Sequence, residues 1–348
     1  MSDLLNKDYS SGSVLNFGEL LLRITPDAGG DWLRENNIPV FVGGAELNVA
    51  TALALWDVPS RYFTALPQNG MSAQLLSFLQ DKGIDTSSIF YHGNRVGLYF
   101  LTKGQDLKND ALIYDRANSA FAELTPGLVD WDKVLDGVTW FHFSAICPAI
   151  SQNAADVCKE VLEVASRKGI TISVDLNYRA KLWKYGKEPI DVMPELAQYC
   201  DLIMGNVWAA ERMLGVKVDE LVTESGQKSL YVKEAQNSSE AIIKQFPKCK
   251  AVANTFRFTA DDNTNVEYYT VLYTDGKPYL SGEHRAERII DKVGSGDCYM
   301  AGLIYGFYNG YDPQQTVDFA TAAAFTKLFV NSDATDRSVE FIQEAIIK

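Results

Sequence analysis

This sequence is poor in histidine and cysteine, and the scarcity excludes several classes of protein. Its three histidines form no HExxH pair, and no GxSxG turn is present, which argues against a zinc protease and a serine hydrolase. The five cysteines are widely spaced and form no CxxC pair, so we expect free thiols rather than a zinc ribbon or a disulfide framework. No GxxxxGKS or GxxxxGKT segment occurs, so the chain is not a P-loop protein.

Long apolar runs are also missing. No stretch approaches the roughly 18 consecutive apolar residues of a membrane span, and residues 1–13 lack the apolar core of a secretory signal. We therefore expect no membrane partner. Free thiols without a signal segment are typical of a cytoplasmic protein.

Positive charge is in deficit, because 32 lysines and arginines face 45 aspartates and glutamates, and the formal net charge is −13. A field of this sign repels a phosphate backbone, so we expect no nucleic-acid partner, although a local basic pocket for a small anion is still allowed. The length of 348 residues can bury a large core without disulfides. It fits one large domain or two smaller ones.

Apolar strand-like segments alternate with helical segments along most of the chain. Strands are predicted at residues 13–22, 61–66, 138–144, 171–175 and 202–205. Helices are predicted at residues 45–56, 70–82, 153–168, 189–199, 207–214, 293–308, 316–329 and 338–347. This alternation predicts an α/β fold in which helices cover both faces of a mostly parallel sheet.

Two regions interrupt that alternation. Residues 23–42 contain two prolines and a Gly-Gly pair, with scattered apolar positions, and fit short strands outside the main core. Within residues 97–116, two strand-like segments, 97–102 and 111–116, flank a polar connection, as in a hairpin. Together they predict a small β appendage. A second hairpin is expected at residues 266–280, around Asp275-Gly276.

The segment with the most chemical information is IIDKVGSGD, residues 289–297, which leads into an apolar helix. A helix N-terminus offers unpaired N–H groups and partial positive charge, and glycines let an anion approach the backbone closely. In the first turn, Asp297 is placed to accept a hydroxyl proton during attack on phosphorus. Taken alone, the segment is more typical of a tight turn whose aspartate only stabilises the helix.

Two motifs together resemble a known family. Residues 291–297 are similar to the DTxGAGD signature of the PfkB (ribokinase-like) carbohydrate kinases, and residues 43–50, GGAELNVA, are similar to their N-terminal GGxxxNxA signature. The resemblance extends from Leu15 to about Asp333. It implies one kinase domain, residues 13–348, with a ribokinase-like doubly wound sheet and a small β-sheet lid from about 23–42 and 97–116.

The resemblance also implies roles for individual residues. Asp297 is expected to be the catalytic base, and Gly294, Ser295 and Gly296 are expected to form the anion hole. The remaining residues fall into two groups. Glu19, Gly43, Gly44 and Asn48 are expected to contact the sugar, and Asn206, Glu211 and Asp291 are expected to lie at the nucleotide. ATP and Mg²⁺ are the implied cofactors, with no protein ligand assigned to the metal. Pairing of lid strands implies a possible homodimer.

Within that family the pattern is closest to the 2-keto-3-deoxygluconate (KDG) kinases. Further residues match positions that bind the acid sugar there: Tyr99, Tyr114, Arg116, Arg179 and Asp333. An arginine can hold the carboxylate of a sugar acid through two parallel charge-assisted hydrogen bonds. By themselves, the two arginines could equally be solvated surface residues.

Several positions depart from the family pattern. Lys292 and Ser295 replace the usual threonine and alanine, and Ala209 occupies the glutamate position of the NxxE segment. A KxGxxG segment is not recognisable around residues 252–257. Two alternatives therefore stay open beside a KDG kinase: fructokinase or another sugar kinase of the family, and a non-catalytic sugar- or nucleotide-binding regulator. His142 is interpreted as a hydrogen-bonded core residue and not as a base.

Overall fold

The computed structural model describes residues 4, 7–26, 37–102, 112–219, 227–258 and 264–347. Fifteen strands are found in this part of the chain. They are β1 (Ser13–Phe17), β2 (Leu21–Ile24), β3 (Val40–Gly43), β4 (Ser60–Phe63), β5 (Ala65–Leu66), β6 (Phe90–Tyr91), β7 (Gly97–Phe100), β8 (Ile113–Asp115), β9 (Val138–Ser144), β10 (Thr171–Asp175), β11 (Leu202–Met204), β12 (Ala251–Phe258), β13 (Thr264–Thr274), β14 (Lys277–Leu280) and β15 (His284–Arg288).

The same residues contain ten helices, counted from Ala45 onward. They are α1 (Ala45–Leu55), α2 (Gly70–Asp81), α3 (Trp131–Val134), α4 (Gln152–Arg167), α5 (Pro189–Ala197), α6 (Val207–Leu214), α7 (Lys228–Gln245), α8 (Ser295–Tyr308), α9 (Pro313–Lys327) and α10 (Val339–Glu344). Among the described residues, none of these helices has the length and apolar character needed to span a bilayer.

A nine-stranded sheet forms the centre of the fold, in the order β14-β13-β12-β11-β10-β9-β1-β4, with β15 also paired to β13. The strands from β12 to β4 are parallel, whereas β13, β14 and β15 pair in antiparallel fashion. All five residues of β10 are buried, as expected where helices cover both faces of a parallel sheet. The α/β prediction with a mostly parallel, ribokinase-like sheet is confirmed.

A separate small sheet has the order β3-β2-β7-β8. Its outer strands are antiparallel to their neighbours and its central pair, β2 and β7, is parallel. The small sheet predicted outside the main core is therefore present. Parts of its predicted segments, residues 27–36 and 103–111, lie outside the described residues.

Two predicted strands are divided in the structure. The prediction of one strand at residues 13–22 is wrong, because Gly18-Glu19-Leu20 separates β1 in the large sheet from β2 in the small one. A side chain at Gly18 would overlap the carboxylate of Glu46, so the chain must turn here with a glycine. The prediction for residues 61–66 is corrected in the same way, since Thr64 separates β4 from β5.

Two other expectations about the core hold. All five cysteines are free and buried. His142 is buried in β9, and its Nδ1 lies 3.0 Å from Ser173 Oγ. Burial lowers the pKa of His142 to about 3, so the imidazole is neutral and is a core residue, as predicted.

Candidate active site

A cavity of about 460 Å³ opens where the parallel strands end. Its wall includes Glu19 just after β1, Asp175 at the end of β10 and Met204 at the end of β11, and the N-terminus of α8 closes one side. Ligands of open α/β sheets bind at this edge, outside the carboxyl ends of the strands. Most predicted site residues line it: Glu19, Gly44, Asn48, Tyr99, Tyr114, Arg116, Arg179, Asn206, Gly294, Ser295, Gly296 and Asp297.

The Gly-Ser-Gly turn forms the N-terminus of α8. Gly294 is the N-cap residue with φ of 78°, a conformation that favours glycine, and a Cβ there would overlap the carbonyl oxygen of Asp333. The hydroxyl of Ser295 donates to Ala324 O at 3.0 Å, so it points away from the cavity. Gly296 is exposed, with no heavy atom within 4 Å of the place where a Cβ would stand. The turn therefore presents backbone N–H groups to the cavity, as an anion site requires.

Asp297 lies in the first turn of α8 and is only 8% exposed. Its Oδ2 accepts a hydrogen bond of 2.7 Å from Asn48 Nδ2. Burial raises the pKa of Asp297 to about 8, and the nearby Asp175 and Glu46 carboxylates act in the same direction, against the hydrogen bond from Asn48. A carboxylate with this pKa is a stronger base than an ordinary aspartate and suits removal of a hydroxyl proton near neutral pH.

Glu46, which the sequence analysis did not assign, fixes the start of α1. Its Oε1 accepts the backbone N–H of Ser144 at 2.9 Å and lies 3.3 Å from Cys147 Sγ. Glu46 is 2% exposed, and burial raises the pKa of its carboxyl. Because Asn48 is two residues away on the same helix, Glu46 links the end of β9 to the residue that holds Asp297.

Arg116 and Glu19 form a buried ion pair in the cavity wall. Arg116 Nε donates to Glu19 Oε2 at 2.6 Å, and the two side chains are 5% and 2% exposed. Because Arg116 is buried in an ion pair, it is not the solvated surface residue that the sequence alone also allowed. Glu19 Oε1 is buried and has no hydrogen-bond partner among the described residues, and the same is true of Asn48 Oδ1. Two unpaired acceptors in a cavity wall suit a ligand rich in hydroxyl groups.

The small sheet and the loop after β10 also contribute to the cavity wall. The rings of Tyr99 on β7 and Tyr114 on β8 lie 6.3 Å apart, and Tyr99 donates its hydroxyl proton to Asp333 Oδ2 at 2.8 Å. Arg179 also lines the cavity and is half-buried, and its Nη1 donates to Tyr178 O at 3.1 Å. The two predicted arginines thus reach one cavity from different elements.

Four predicted site residues do not belong to the cavity wall: Gly43, Glu211, Asp291 and Asp333. Asp291 and Asp333 are buried and pair with Arg23. A side chain at Gly43 would overlap the Asp333 carboxylate, so Gly43 makes room for that group. Glu211 Oε1 accepts the N–H of Val218 at 3.3 Å. A carboxylate can bind a ligand or pair with a buried arginine. The spacing of residues in the sequence does not distinguish these two roles.

The cavity wall also carries cations that the sequence analysis did not assign as ligands. Arg212 on α6, Arg257 on β12 and Lys292 before the glycine turn all line it, although the chain as a whole has a net charge of −13. The sequence signal was weak, because arginines outside a motif are usually solvated. Positive charge gathered beside a helix N-terminus suits a polyphosphate.

Asn206 and Ala209 define the start of α6 in the cavity wall. Asn206 is the N-cap residue, and its Oδ1 accepts the N–H of Ala209 at 2.8 Å. Since Ala209 stands at the usual glutamate position, this wall offers no carboxylate there. Within the described residues, no group of three or more histidine, cysteine, aspartate or glutamate side chains could hold a metal ion. The donor set does not fit a Mg²⁺ ion held by the protein alone.

Comparisons with known proteins cover nearly the whole chain. Residues 12–337 match the family model described as pfkB family carbohydrate kinase. The crystal structure of 2-dehydro-3-deoxygluconokinase from Thermotoga maritima is similar with a TM-score of 0.85 and 33% identity, over 96% of this chain and 98% of that one. The 2-dehydro-3-deoxygalactonokinase of Haloferax volcanii is 24% identical over 323 residues, 93% of each chain. Fructokinase-2 of Solanum lycopersicum is 30% identical over 304 residues, 86% of this chain and 83% of the relative.

Proposed function

We propose that this chain, which belongs to the pfkB family of carbohydrate kinases, transfers the γ-phosphoryl group of ATP to a hydroxyl group of KDG and forms KDG 6-phosphate. A sugar kinase with an alcohol acceptor follows from the family. KDG as the acceptor and ATP as the donor are our inference. The non-catalytic alternative rested on Ala209 and on the missing KxGxxG segment, whereas membership of the kinase family and the presence of Asp297 and the glycine turn in the cavity support a catalyst.

The presence of both Arg116 and Arg179 in the wall of one cavity is the observation that carries the choice of substrate. A neutral sugar does not need two arginines, whereas the carboxylate of KDG can bind the guanidinium groups through charge-assisted hydrogen bonds. The unpaired acceptors on Glu19 and Asn48 can take hydrogen bonds from sugar hydroxyls. Similarity to kinases of deoxy sugar acids at 33% and 24% identity supports the same class.

The proposed reaction uses groups on both sides of the cavity. Asp297 takes the proton of the attacking hydroxyl, the new O–P bond forms at the γ-phosphorus, and the bond from that phosphorus to the bridging oxygen breaks to release ADP. The amides of Gly294, Ser295 and Gly296 stabilise the charge on the transferring group. Arg212, Arg257 and Lys292 face the donor phosphates. Mg²⁺ enters with ATP, and no step is assigned to a metal held by the protein.

Fructose is the alternative acceptor, and the observation that favours it is the 30% identity to a fructokinase. A coupled assay of ADP release with KDG, fructose and ribose separates the alternatives. We expect turnover with KDG to exceed turnover with either neutral sugar. Efficient phosphorylation of fructose with no reaction on KDG would overturn the proposed substrate and leave the family assignment intact.

Three further elements of the proposal concern the setting of the enzyme. The sheet β3-β2-β7-β8 acts as a lid over the sugar, because it supplies Tyr99 and Tyr114 to the cavity wall. Exposed apolar residues on its edge strands, Val40 at 55% and Ile113 at 54%, support pairing of two lids in a homodimer. Five free thiols support a cytoplasmic location.

A further inference from the structure

A buried group of charged side chains lies directly behind the proposed anion hole. Arg23 on β2 is 1% exposed, and its Nη2 lies 3.1 Å from Asp291 Oδ2 and 2.7 Å from Asp333 Oδ1. Tyr99 donates to the other oxygen of Asp333 at 2.8 Å. Lys327, at the end of α9, is fully buried beside them. We call these five residues the Arg23 network. Two carboxylates face two cations in a place that water does not reach.

The Arg23 network determines where the glycine turn lies. Asp291 Oδ1 accepts the N–H of Val293 at 3.0 Å, one residue before the turn. Gly294 packs on the backbone carbonyl of Asp333 so closely that no Cβ can be accommodated, and that Cβ would also stand 3.4 Å from Lys327 Cε. A shift of either aspartate therefore moves the amide that the proposed reaction uses.

The same network reaches the cavity wall. Arg23 and Tyr99 are register partners in the parallel pair of β2 and β7. Tyr99 is part of the cavity wall and also donates to Asp333. Tyr99 is hydrogen-bonded to Asp333, and Asp333 packs against Gly294. These two contacts connect the surface on which the sugar lies to the turn on which the phosphoryl group lies.

We propose that Arg23 is a positioning residue for phosphoryl transfer, which holds Asp291 and Asp333 so that the Gly294 amide faces the transferring group. The positive charge of Arg23 also offsets the negative charge of the two carboxylates, which would otherwise repel the transferring phosphoryl group. This repulsion would be strong, because Coulomb interactions are strong where water is excluded. A buried ion pair adds little stability by itself, so stability alone gives no reason for this arginine. The inference rests on the proposed anion hole at residues 294–296.

The experiment is the substitution Arg23→Met, with kcat and KM measured from pH 6 to pH 9. We expect kcat to fall on the order of 10²-fold, as for a misplacement of about 1 Å at a reacting centre, while KM for sugar and ATP changes little. The ratio of variant to wild-type kcat should rise as the pH falls. Burial raises the pKa of Asp333, so without Arg23 it takes up a proton readily and one repelling charge is removed.

A double variant separates charge from packing. Arg23→Met with Asp333→Asn removes one cation and one carboxylate, leaving Asp291 to face Lys327. We expect the double variant to recover most of the kcat lost in Arg23→Met. Arg23→Lys should retain most of the wild-type kcat, because the positive charge is kept. A matched control is Arg167→Met, which breaks the exposed pair of Arg167 with Asp132, 62% and 63% exposed, and should leave kcat unchanged.

Two results would overturn the proposal. One is an unchanged kcat in Arg23→Met. The other is a loss of kcat that is not reversed at low pH, by Asp333→Asn or in Arg23→Lys. A loss of kcat in variants that thermal unfolding shows to be unfolded counts as the same result. The assay uses whichever sugar the wild-type enzyme phosphorylates, so a wrong choice of KDG does not affect the result. Asp297→Asn gives the baseline without catalysis and tests the proposed base separately.

Discussion

Asn48 donates a hydrogen bond of 2.7 Å to the carboxylate of Asp297, although 249 positions separate the two residues in the chain. Each belongs to one of the two motifs found in the sequence, and both are buried. An amide donor favours the charged form of a carboxylate. Asn48 therefore keeps Asp297 oriented and partly offsets the burial that makes it basic.

The first prediction concerns the proposed base. Asp297→Asn should keep the fold and ATP binding and lose roughly 10²–10⁴-fold in kcat, the contribution of a positioned base, because an amide cannot accept the proton. Steady-state kinetics and ATP titration check this outcome. A variant that retains more than about a tenth of wild-type kcat would show that another group takes the proton.

The second prediction concerns pH. Since Asp297 must be deprotonated to act as a base and its pKa is about 8, kcat/KM should fall as the pH drops below about 8. Asn48→Ala removes the donor that favours the carboxylate, so the pKa should rise and the acid limb should move to higher pH. Profiles of kcat/KM against pH measure both. An acid limb of the wild-type profile near the ordinary aspartate pKa would contradict this account. An acid limb that moves to lower pH in Asn48→Ala would contradict it as well.

The third prediction concerns recognition of the sugar acid. Arg179→Ala should raise KM for KDG about ten- to a hundred-fold, because a charge-assisted hydrogen bond contributes roughly 1.5–3 kcal/mol. Any activity on fructose should change much less. Equal effects on both sugars would show that Arg179 does not bind a carboxylate.

Arg116→Ala requires a control, because it also leaves the buried Glu19 carboxylate unpaired. Loss of one partner of a buried pair destabilises a protein by about 3–5 kcal/mol. The double variant Arg116→Ala with Glu19→Gln should recover most of that stability without recovering the affinity for KDG. Thermal unfolding together with KM measurements distinguishes the two effects.

The fourth prediction compares two glycines of the same turn. Gly294→Ala should lower the thermal midpoint, because its φ of 78° is unfavourable for alanine by about 1–2 kcal/mol and the methyl group overlaps Asp333. Gly296→Ala should leave the midpoint unchanged or higher, since nothing lies within 4 Å of its Cβ position. Its methyl group enters the space for the phosphoryl group, so kcat should fall. Full activity in Gly296→Ala would argue against an anion hole at this turn.

The fifth prediction concerns the lid. Amide hydrogen exchange in β2, β3, β7 and β8 should slow when KDG is added, because closure excludes water from the cavity. Mass spectrometry with peptides from β4 as an internal control measures the change. Equal exchange with and without the sugar would mean that the small sheet does not close.

Much of the fold could be predicted because the apolar periodicity of its elements is local. The strand at Val138–Ser144 and the helix at Val207–Leu214 agree with their predicted bounds. The helix Lys228–Gln245 was not predicted, since lysines, glutamines and serines interrupt its apolar positions. The break at Gly18 was missed for a different reason: it depends on the carboxylate of Glu46, which approaches from another element.

In the site, too, residues specified by a local motif could be predicted, and residues specified by contacts with distant parts of the chain could not. Asp297 and Asn48 could be found because each stands at a fixed distance from a glycine pair or turn in its motif. The positions of Asp291 and Asp333 could not be predicted, because their partner Arg23 is distant in the chain, 268 positions from Asp291. Whether an aspartate faces a cavity or an internal arginine depends on tertiary packing, and no pattern of neighbouring residues specifies it.

The contact of Gly294 with Asp333 has a consequence for biosynthesis. Translation proceeds from the N-terminus, so a nascent chain that has not yet exposed residue 333 has Arg23 and Tyr99 without the carboxylate that both contact. The contacts of Arg23 and Tyr99 with Asp333 join β2 and β7 to the segment after α9. Such long-range contacts form late in folding. We expect the pocket to be completed only after residue 333 has left the ribosome. Chains that terminate before residue 333 should therefore have no phosphotransferase activity, because Arg23, Tyr99 and Gly294 lack the residue that all three contact.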